Sequence, residues 1–367
     1  MNYHQKFYSV AALSLLISLT SCNDDDKNAN QLSKDEAKNS ITQFNADAVD
    51  DLQGLTDATG LQAVRDLIDL TETDDPFGRM GGTDKKRIKN FFQKKGRDFK
   101  TIFAANKAVG GRTANDEAFD FQANQGVYEW NPELGEAGAF EKTGDSEIIE
   151  ILFPTEGSTT NNAALQLTEY SEVEVYDEEW DEYSYQPELL TAFLFVNDVK
   201  VVSLHLESAW DELGFPLTVD ITLSIDEFTL DIAFDDSGAK SSSLSISFLR
   251  NTEVLVATSI TVKYDDDSKS GESLNSIEGF VQVKNLKLQG DINIKAADAT
   301  EVNWNDIINL ALYSDNKKLG DVVFVEDDGE FIAYLQYADG TKEKLDTILQ
   351  PVLDELDELE SELDTNG

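Results

Sequence analysis

The chain has 367 residues, with 29 basic and 72 acidic side chains and a formal charge of −43. That charge repels phosphate backbones and anionic headgroups, which argues against nucleic acid as a partner. A hydrophobic share of 40% excludes a wholly disordered chain and supplies enough apolar material for one large core or two small ones.

The first residues read as an export signal. Lys6 gives a positive start, and Val10, Ala11, Ala12, Leu13, Leu15, Leu16 and Ile17 form an apolar run too short for a permanent span. Leu19-Thr20-Ser21-Cys22 closes it and resembles the bacterial lipobox. The resemblance implies cleavage before Cys22 and acylation of its thiol. Ala11 and Ala12 lie too early for an ordinary cleavage site, and no Ala-x-Ala follows the run. Cys22 is the single cysteine, so it has no disulfide partner within the molecule. One acyl chain anchors only marginally, and the two or three chains that the resemblance implies meet the requirement for stable attachment. Removing residues 1–21 from 367 leaves a mature chain of 346. Asn23-Asp24-Asp25-Asp26 resembles the acidic signals that carry some lipoproteins of gut and gliding Gram-negative bacteria to the cell surface. The alternative is a solvated acidic tether over residues 22–32. The expected place is the outer membrane, on the surface or facing the periplasm.

Residues 33–112 read as helical. Ser33 with Asp35 and Glu36 suits a helix start, and Ala37, Ile41, Phe44, Ala48 and Leu52 follow at helical spacing. Leu61, Val64, Leu67 and Ile68 make a second helical face, and Asp74-Asp75-Pro76 with Gly78, Gly81 and Gly82 marks a loop. From Arg79 to Arg112 eleven basic residues stand against only Asp84 and Asp98. Ile88, Phe91, Phe92, Phe99, Ile102 and Phe103 share one helical face there, making the segment amphipathic and basic. Two uses are open: contact with an anionic membrane or polymer, or packing of the phenylalanines on the core while the lysines offset the protein's own acidity.

Residues 113–298 change to an alternating period, predicting an antiparallel sheet with one wet face. Phe119 and Phe121 with Val127, Tyr128 and Trp130 flank Asn124-Gln125-Gly126 as a first hairpin. Glu147 to Phe153, Ala164 to Tyr170, Val173 to Tyr176, Leu190 to Val196 and Val199 to Leu206 follow as strands. Asn197-Asp198 suits a tight hairpin less well than Asn-Gly would. Alternation is cleanest from Leu217 to Phe234, with a phase shift at Asp226-Glu227 that demands a bulge or a turn. Another hairpin turns at Arg250-Asn251, and a second phase shift falls near Asn285.

Residues 299–367 read as helix, hairpin and helix. Val302, Trp304, Ile307, Ile308, Ala311 and Leu312 predict a short helix. Asp327-Asp328-Gly329 turns a hairpin between Val322–Val325 and Phe331–Leu335. Leu349, Val352, Leu356, Leu359 and Leu363 give a closing amphipathic helix that docks on the sheet. The fold class expected is α+β: N-terminal helices on a large twisted antiparallel sheet, then a C-terminal hairpin and amphipathic helix, with residues 33–367 as one domain.

Catalytic chemistry finds little support in this composition. His205 is the one histidine after the leader, and it shares the polar side of its strand with Ser203 and Glu207. A Ser-His-Asp or Cys-His site would need that residue, and zinc sites of histidine and cysteine are excluded by count. Neither Asp265-Asp266-Asp267 nor Asp177-Glu178-Glu179 has the spacing of a calcium loop, and no cofactor motif is present. The most distinctive loop runs from Tyr176 to Tyr185, where Trp180, Tyr183 and Tyr185 among acids can stack on sugars or hold a cation. The function expected is a non-enzymatic, lipid-anchored envelope protein of binding or scaffolding type, its membrane contact made through Cys22. The rivals are a carrier holding a hydrophobic ligand between sheet and helices, and a surface glycan-binding or glycan-processing protein using carboxylates.

Overall fold

A computed structural model of the protein describes residues 31–47, 58–73, 118–134, 138–177, 182–212, 214–295, 303–327 and 330–350. The leader with Cys22, the acidic tether up to residue 30, the basic segment 79–112, Trp180 and the stripe from Val352 to Leu363 lie outside these residues.

The protein is nearly all β, which corrects the α+β expectation. The described residues hold sixteen strands. Pairing is mixed, because Gly126–Asn131 and Ile149–Phe153 lie parallel while the other strand pairs recorded are antiparallel. Backbone contacts divide the chain into two compact units, Gly54–Asp231 and a second comprising residues 1–53 and 232–367.

The first unit holds helix α2 (Thr59–Thr73) and strands β1 (Gly126–Asn131), β2 (Ala139–Gly144), β3 (Ile149–Phe153), β4 (Ala163–Asp177), β5 (Glu182–Val196), β6 (Val199–Trp210) and β7 (Pro216–Ile225). Phe119 and Phe121 do not make a strand, contrary to the first hairpin expected. They precede β1 in coil and turn, and pack against Tyr128, Ile149 and Ile151. The true partner of β1 is β2, so local alternation was satisfied by a different strand. Ala164 to Tyr170 and Val173 to Tyr176 merge into the single strand β4. Asn197 and Asp198 both adopt left-handed φ, +50° and +65°, which fits the twist a two-residue hairpin needs despite the missing glycine. The core joins α2 to the sheet: Ala63 is 1% exposed and sits with Trp130, Phe153, Leu194 and Val201, while Val64, Leu67 and Leu70 pack at its margin.

The second unit holds α1 (Lys34–Asp47), the four-residue helix α3 (Trp304–Ile307), and β9 (Ser241–Arg250), β10 (Glu253–Tyr264), β11 (Leu274–Val283), β12 (Leu286–Asn293), β13 (Ile308–Ser314), β14 (Lys317–Asp327), β15 (Glu330–Gln336) and β16 (Lys342–Lys344). Ser33 and Glu36 close a reciprocal capping box at the start of α1, with Ser33 Oγ donating to Glu36 Oε2 over 2.6 Å. Glu36 is thereby held below its ordinary carboxyl value. The helix expected over Val302–Leu312 is wrong beyond Ile307. Ile308, Leu310 and Leu312 alternate and join β12, because a period of two and a period of three or four coincide over so short a run. Leu310, Leu312, Leu319 and Leu335 form the core with Ala37 and Ile41 of α1, and Leu345 of the helical stretch 345–350 completes it.

The phase shifts are turns. β8 (Phe228–Asp235) follows β7 after Asp226-Glu227, and Lys284-Asn285 joins β11 to β12. Asp226 and Lys284 carry φ of +51° and +50°.

Candidate functional site

The hairpin β4–β5 is where the sequence's aromatic candidates come together. What looked like a loop from Tyr176 to Tyr185 is mostly paired strand, with Tyr176 opposite Tyr183, Glu174 opposite Tyr185 and Glu172 opposite Pro187. Positions two apart share a face, so Glu172, Glu174, Tyr176, Tyr183 and Tyr185 stand together on one side of the ribbon. The Tyr176 and Tyr183 rings are 5.2 Å apart and tilted by 56°. Tyr185 donates its hydroxyl to Glu174 Oε1 over 3.1 Å. Earlier on β4, Tyr170 donates to Glu172 Oε2 over 2.5 Å, and Glu172 Oε1 accepts the backbone N–H of Phe119. The Phe119 ring meets Tyr170 edge-on at 5.3 Å.

Two glutamates therefore brace Tyr170 and Tyr185 through their hydroxyls, beside the exposed Tyr183. Tyr183 is 53% exposed, which for a strand residue opposite another tyrosine leaves one ring face to the solvent. Such a surface stacks on flat, weakly polar partners and attracts cations through the ring quadrupole. Sequence reasoning named Tyr183 and Tyr185 but passed over Tyr170, Glu172 and Glu174. Their signal was the alternation Tyr170, Glu172, Glu174, Tyr176 along one strand face.

His205 lies exposed on β6, as its strand parity implied. Its Nδ1 is 3.1 Å from Thr191 Oγ1, its Nε2 is 3.4 Å from Glu207 Oε1, and Thr191 donates to Glu169 Oε2. A hydroxyl, an imidazole and a carboxylate in series copy the connectivity of a nucleophile relay. The Thr191 proton is already given to Glu169, however, and the His205 and Glu207 side chains are 47% and 65% exposed on a strand surface. Nothing there excludes water or supplies a preorganised site for a developing oxyanion. This row is a cross-strand polar ladder of the wet face.

The acidic turns are occupied by structural roles. Asp265 is held by Lys295 at 2.5 Å and by Asn275 at 2.8 Å, and the first of these contacts leads in keeping its carboxyl below the ordinary range. Asp266 accepts from the Ser268 hydroxyl and backbone, Asp235 from Ser237, and Asp339 from Thr341; each is lowered by those bonds. Among the described residues, no group of three or more histidine, cysteine, aspartate or glutamate side chains converges as metal ligands. Among the described residues, no helix is long and apolar enough to cross a membrane.

Compared with models of known families, with characterised proteins and with solved structures, the chain matches none of them.

Proposed function

We propose that this is a non-enzymatic binding protein, held at the bacterial outer membrane by lipid on Cys22, whose contact surface is the tyrosine–glutamate face of the β4–β5 hairpin. The anchor rests on the Leu19-Thr20-Ser21-Cys22 motif and the acids after it. The binding role rests on one observation above the others: Tyr183, 53% exposed and tilted against the Tyr176 ring, stands beside a glutamate-braced Tyr185. Tilted rings flanked by carboxylate acceptors suit a saccharide, whose C–H faces stack on aromatics while its hydroxyls donate to acids. The carrier reading is less favoured, since side chains of α2 and the sheet meet directly where the two pack, with Ala63 and Phe153 almost fully buried.

A glycan array probed with the Cys22→Ser protein and with the double variant Tyr176→Ala, Tyr183→Ala tests the contact. Binding by the parent and loss in the double variant support it. Equal binding by both, or no saccharide bound by the parent, overturns it. The anchor is tested separately by fractionation: Cys22→Ser should move the protein from the membrane pellet to the soluble fraction.

A further inference from the structure

The second unit carries an exposed aromatic pair of its own, where α3 lies beside the far end of β14 and β15. Trp304 opens α3 and Phe331 stands near the start of β15; they are 37% and 55% exposed. Their rings meet edge to face, 5.9 Å apart at 71°. Glu326 is the cross-strand partner of Phe331, so both side chains stand on one face of that ribbon. The row before them, Phe324 and Ala333, packs at the margin of the core. The apolar row therefore runs on into solvent, which packing alone does not require.

The backbone on either side of Trp304 is fixed. Asn303 caps α3 by accepting the Asn305 N–H on its side-chain oxygen, and the Ile308 N–H donates to the Trp304 carbonyl. Asn305 then imitates a neighbouring strand: its amide donates to the Phe324 carbonyl over 2.9 Å and accepts the Phe324 N–H over 2.7 Å. Two asparagine side chains thus set where the indole stands, and a ring positioned in advance loses less entropy when a partner stacks on it. The polar groups beside the rings are unspent. The Trp210 indole N–H donates to the Pro187 carbonyl and to Ser208 Oγ, whereas among the described residues the Trp304 indole N–H has no acceptor. The exposed Glu326 carboxylate likewise has no donor among them.

We infer that Trp304, Phe331 and Glu326 form a second saccharide contact, in the unit that does not carry the β4–β5 hairpin, and that it takes a neutral sugar. The inference rests on the saccharide class proposed for the hairpin and adds a separate site. The rings meet the sugar's C–H face, the Trp304 N–H donates to one hydroxyl, and Glu326 accepts from another. A hydroxyl can be both acceptor and donor. An ammonium brings donors alone and leaves the indole N–H unmatched. Uronic acids and phosphorylated sugars are repelled by Glu326 and by the chain's charge of −43.

An array of neutral glycans and their uronic-acid counterparts is probed with the Cys22→Ser protein and three variants in that background. These are Trp304→Ala with Phe331→Ala, Tyr176→Ala with Tyr183→Ala, and all four together. The expected result is a severalfold weaker signal on neutral glycans for each pair and complete loss for the quadruple variant. Trp304→Phe keeps a ring and removes the N–H, so it should weaken the same spots severalfold with an unchanged midpoint of urea unfolding. It carries the comparison alone if the double alanine variant does not fold. Equal signal in the parent and the Trp304 variants, or no signal once Tyr176 and Tyr183 are replaced, overturns the second contact. A uronic signal that needs Trp304 and Phe331 overturns its neutral class. The two readings fail separately: loss confined to the tyrosine pair removes this contact and keeps the hairpin's, and loss confined to the Trp304 pair does the reverse.

Discussion

Helix α2 begins without a capping side chain of its own. The residue before it is Ala58, and the Gly60 amide is satisfied by Asp226 Oδ2 at 2.9 Å, from the turn between β7 and β8. Asp226 also holds φ of +51°, a conformation that costs an ordinary L-residue about 1–2 kcal/mol and an aspartate less. Replacing it with alanine removes a capping bond worth about 1 kcal/mol and adds about 1 kcal/mol of backbone strain, for a loss of about 2 kcal/mol. Asp226→Gly relieves the strain and loses only the cap, about 1 kcal/mol. Asp226→Asn keeps the acceptor and tolerates the turn, losing the charge at the helix start and about 0.5 kcal/mol. In a unit of this size each kcal/mol moves the melting temperature by about 2–4 °C. Urea titration followed by tryptophan fluorescence, with hydrogen exchange at the α2 amides, should rank the losses alanine, glycine, asparagine. If glycine costs as much as alanine, the strain argument fails. If asparagine does, the residue acts through its charge and not as an acceptor.

Leu335→Ala, at a fully buried position, should cost about 2–5 kcal/mol by denaturant titration, while Phe331→Ala, at a position 55% exposed, should stay below about 1 kcal/mol. Glu343 is held below its ordinary 4.5, first by Lys38 at 2.5 Å and then by the Tyr337 hydroxyl, whose own value burial pushes far up. A depressed carboxyl stabilises above its unfolded value and loses that contribution as pH falls through its folded value. Glu343→Gln should therefore destabilise at neutral pH, with the gap to the parent closing below 4.5; a gap unchanged into the acid range refutes the ion pair's role. Asp198→Gly, in a turn where both residues are left-handed, should raise stability by about 0.5 kcal/mol in the same titration, and a loss would show that the aspartate side chain matters there.

The strands of the middle of the chain were legible because each carries a clean period of two, as in Leu217, Val219, Ile221, Leu223 and Ile225. The phase shift at Asp226-Glu227 was legible for the same reason, since a slip in parity demands a turn. Pairing across longer gaps was not. Phe119 and Phe121 carry the alternation of a strand but serve as core plugs against Tyr128, and nothing local separates the two uses. Ile308, Leu310 and Leu312 misled because Trp304, Ile307 and Ile308 carry a helical spacing up to the first residue of the strand. At the candidate site, the aromatic residues were visible, but the bracing glutamates were not. In a chain with 72 acids a glutamate stands out only when a cross-strand partner is known.

That last point bears on why the hairpin face deserves to be singled out from so much acidic surface. Asp235, Asp266 and Asp339 accept from their own turns and Asp265 from a lysine, while Glu343 accepts from a lysine and the Tyr337 hydroxyl together. Glu172 and Glu174 instead accept from tyrosine hydroxyls, fixing ring planes at a ribbon's surface. Orienting the Tyr185 ring beside the exposed Tyr183 lowers the entropy lost when a partner stacks on the pair. A glutamate-to-glutamine exchange at Glu174 keeps an acceptor for Tyr185 and should preserve partner affinity, whereas Glu174→Ala frees the ring and should weaken it with no change in the midpoint of urea unfolding. If both substitutions shift unfolding alike and affinity not at all, the bracing belongs to the sheet and not to a site.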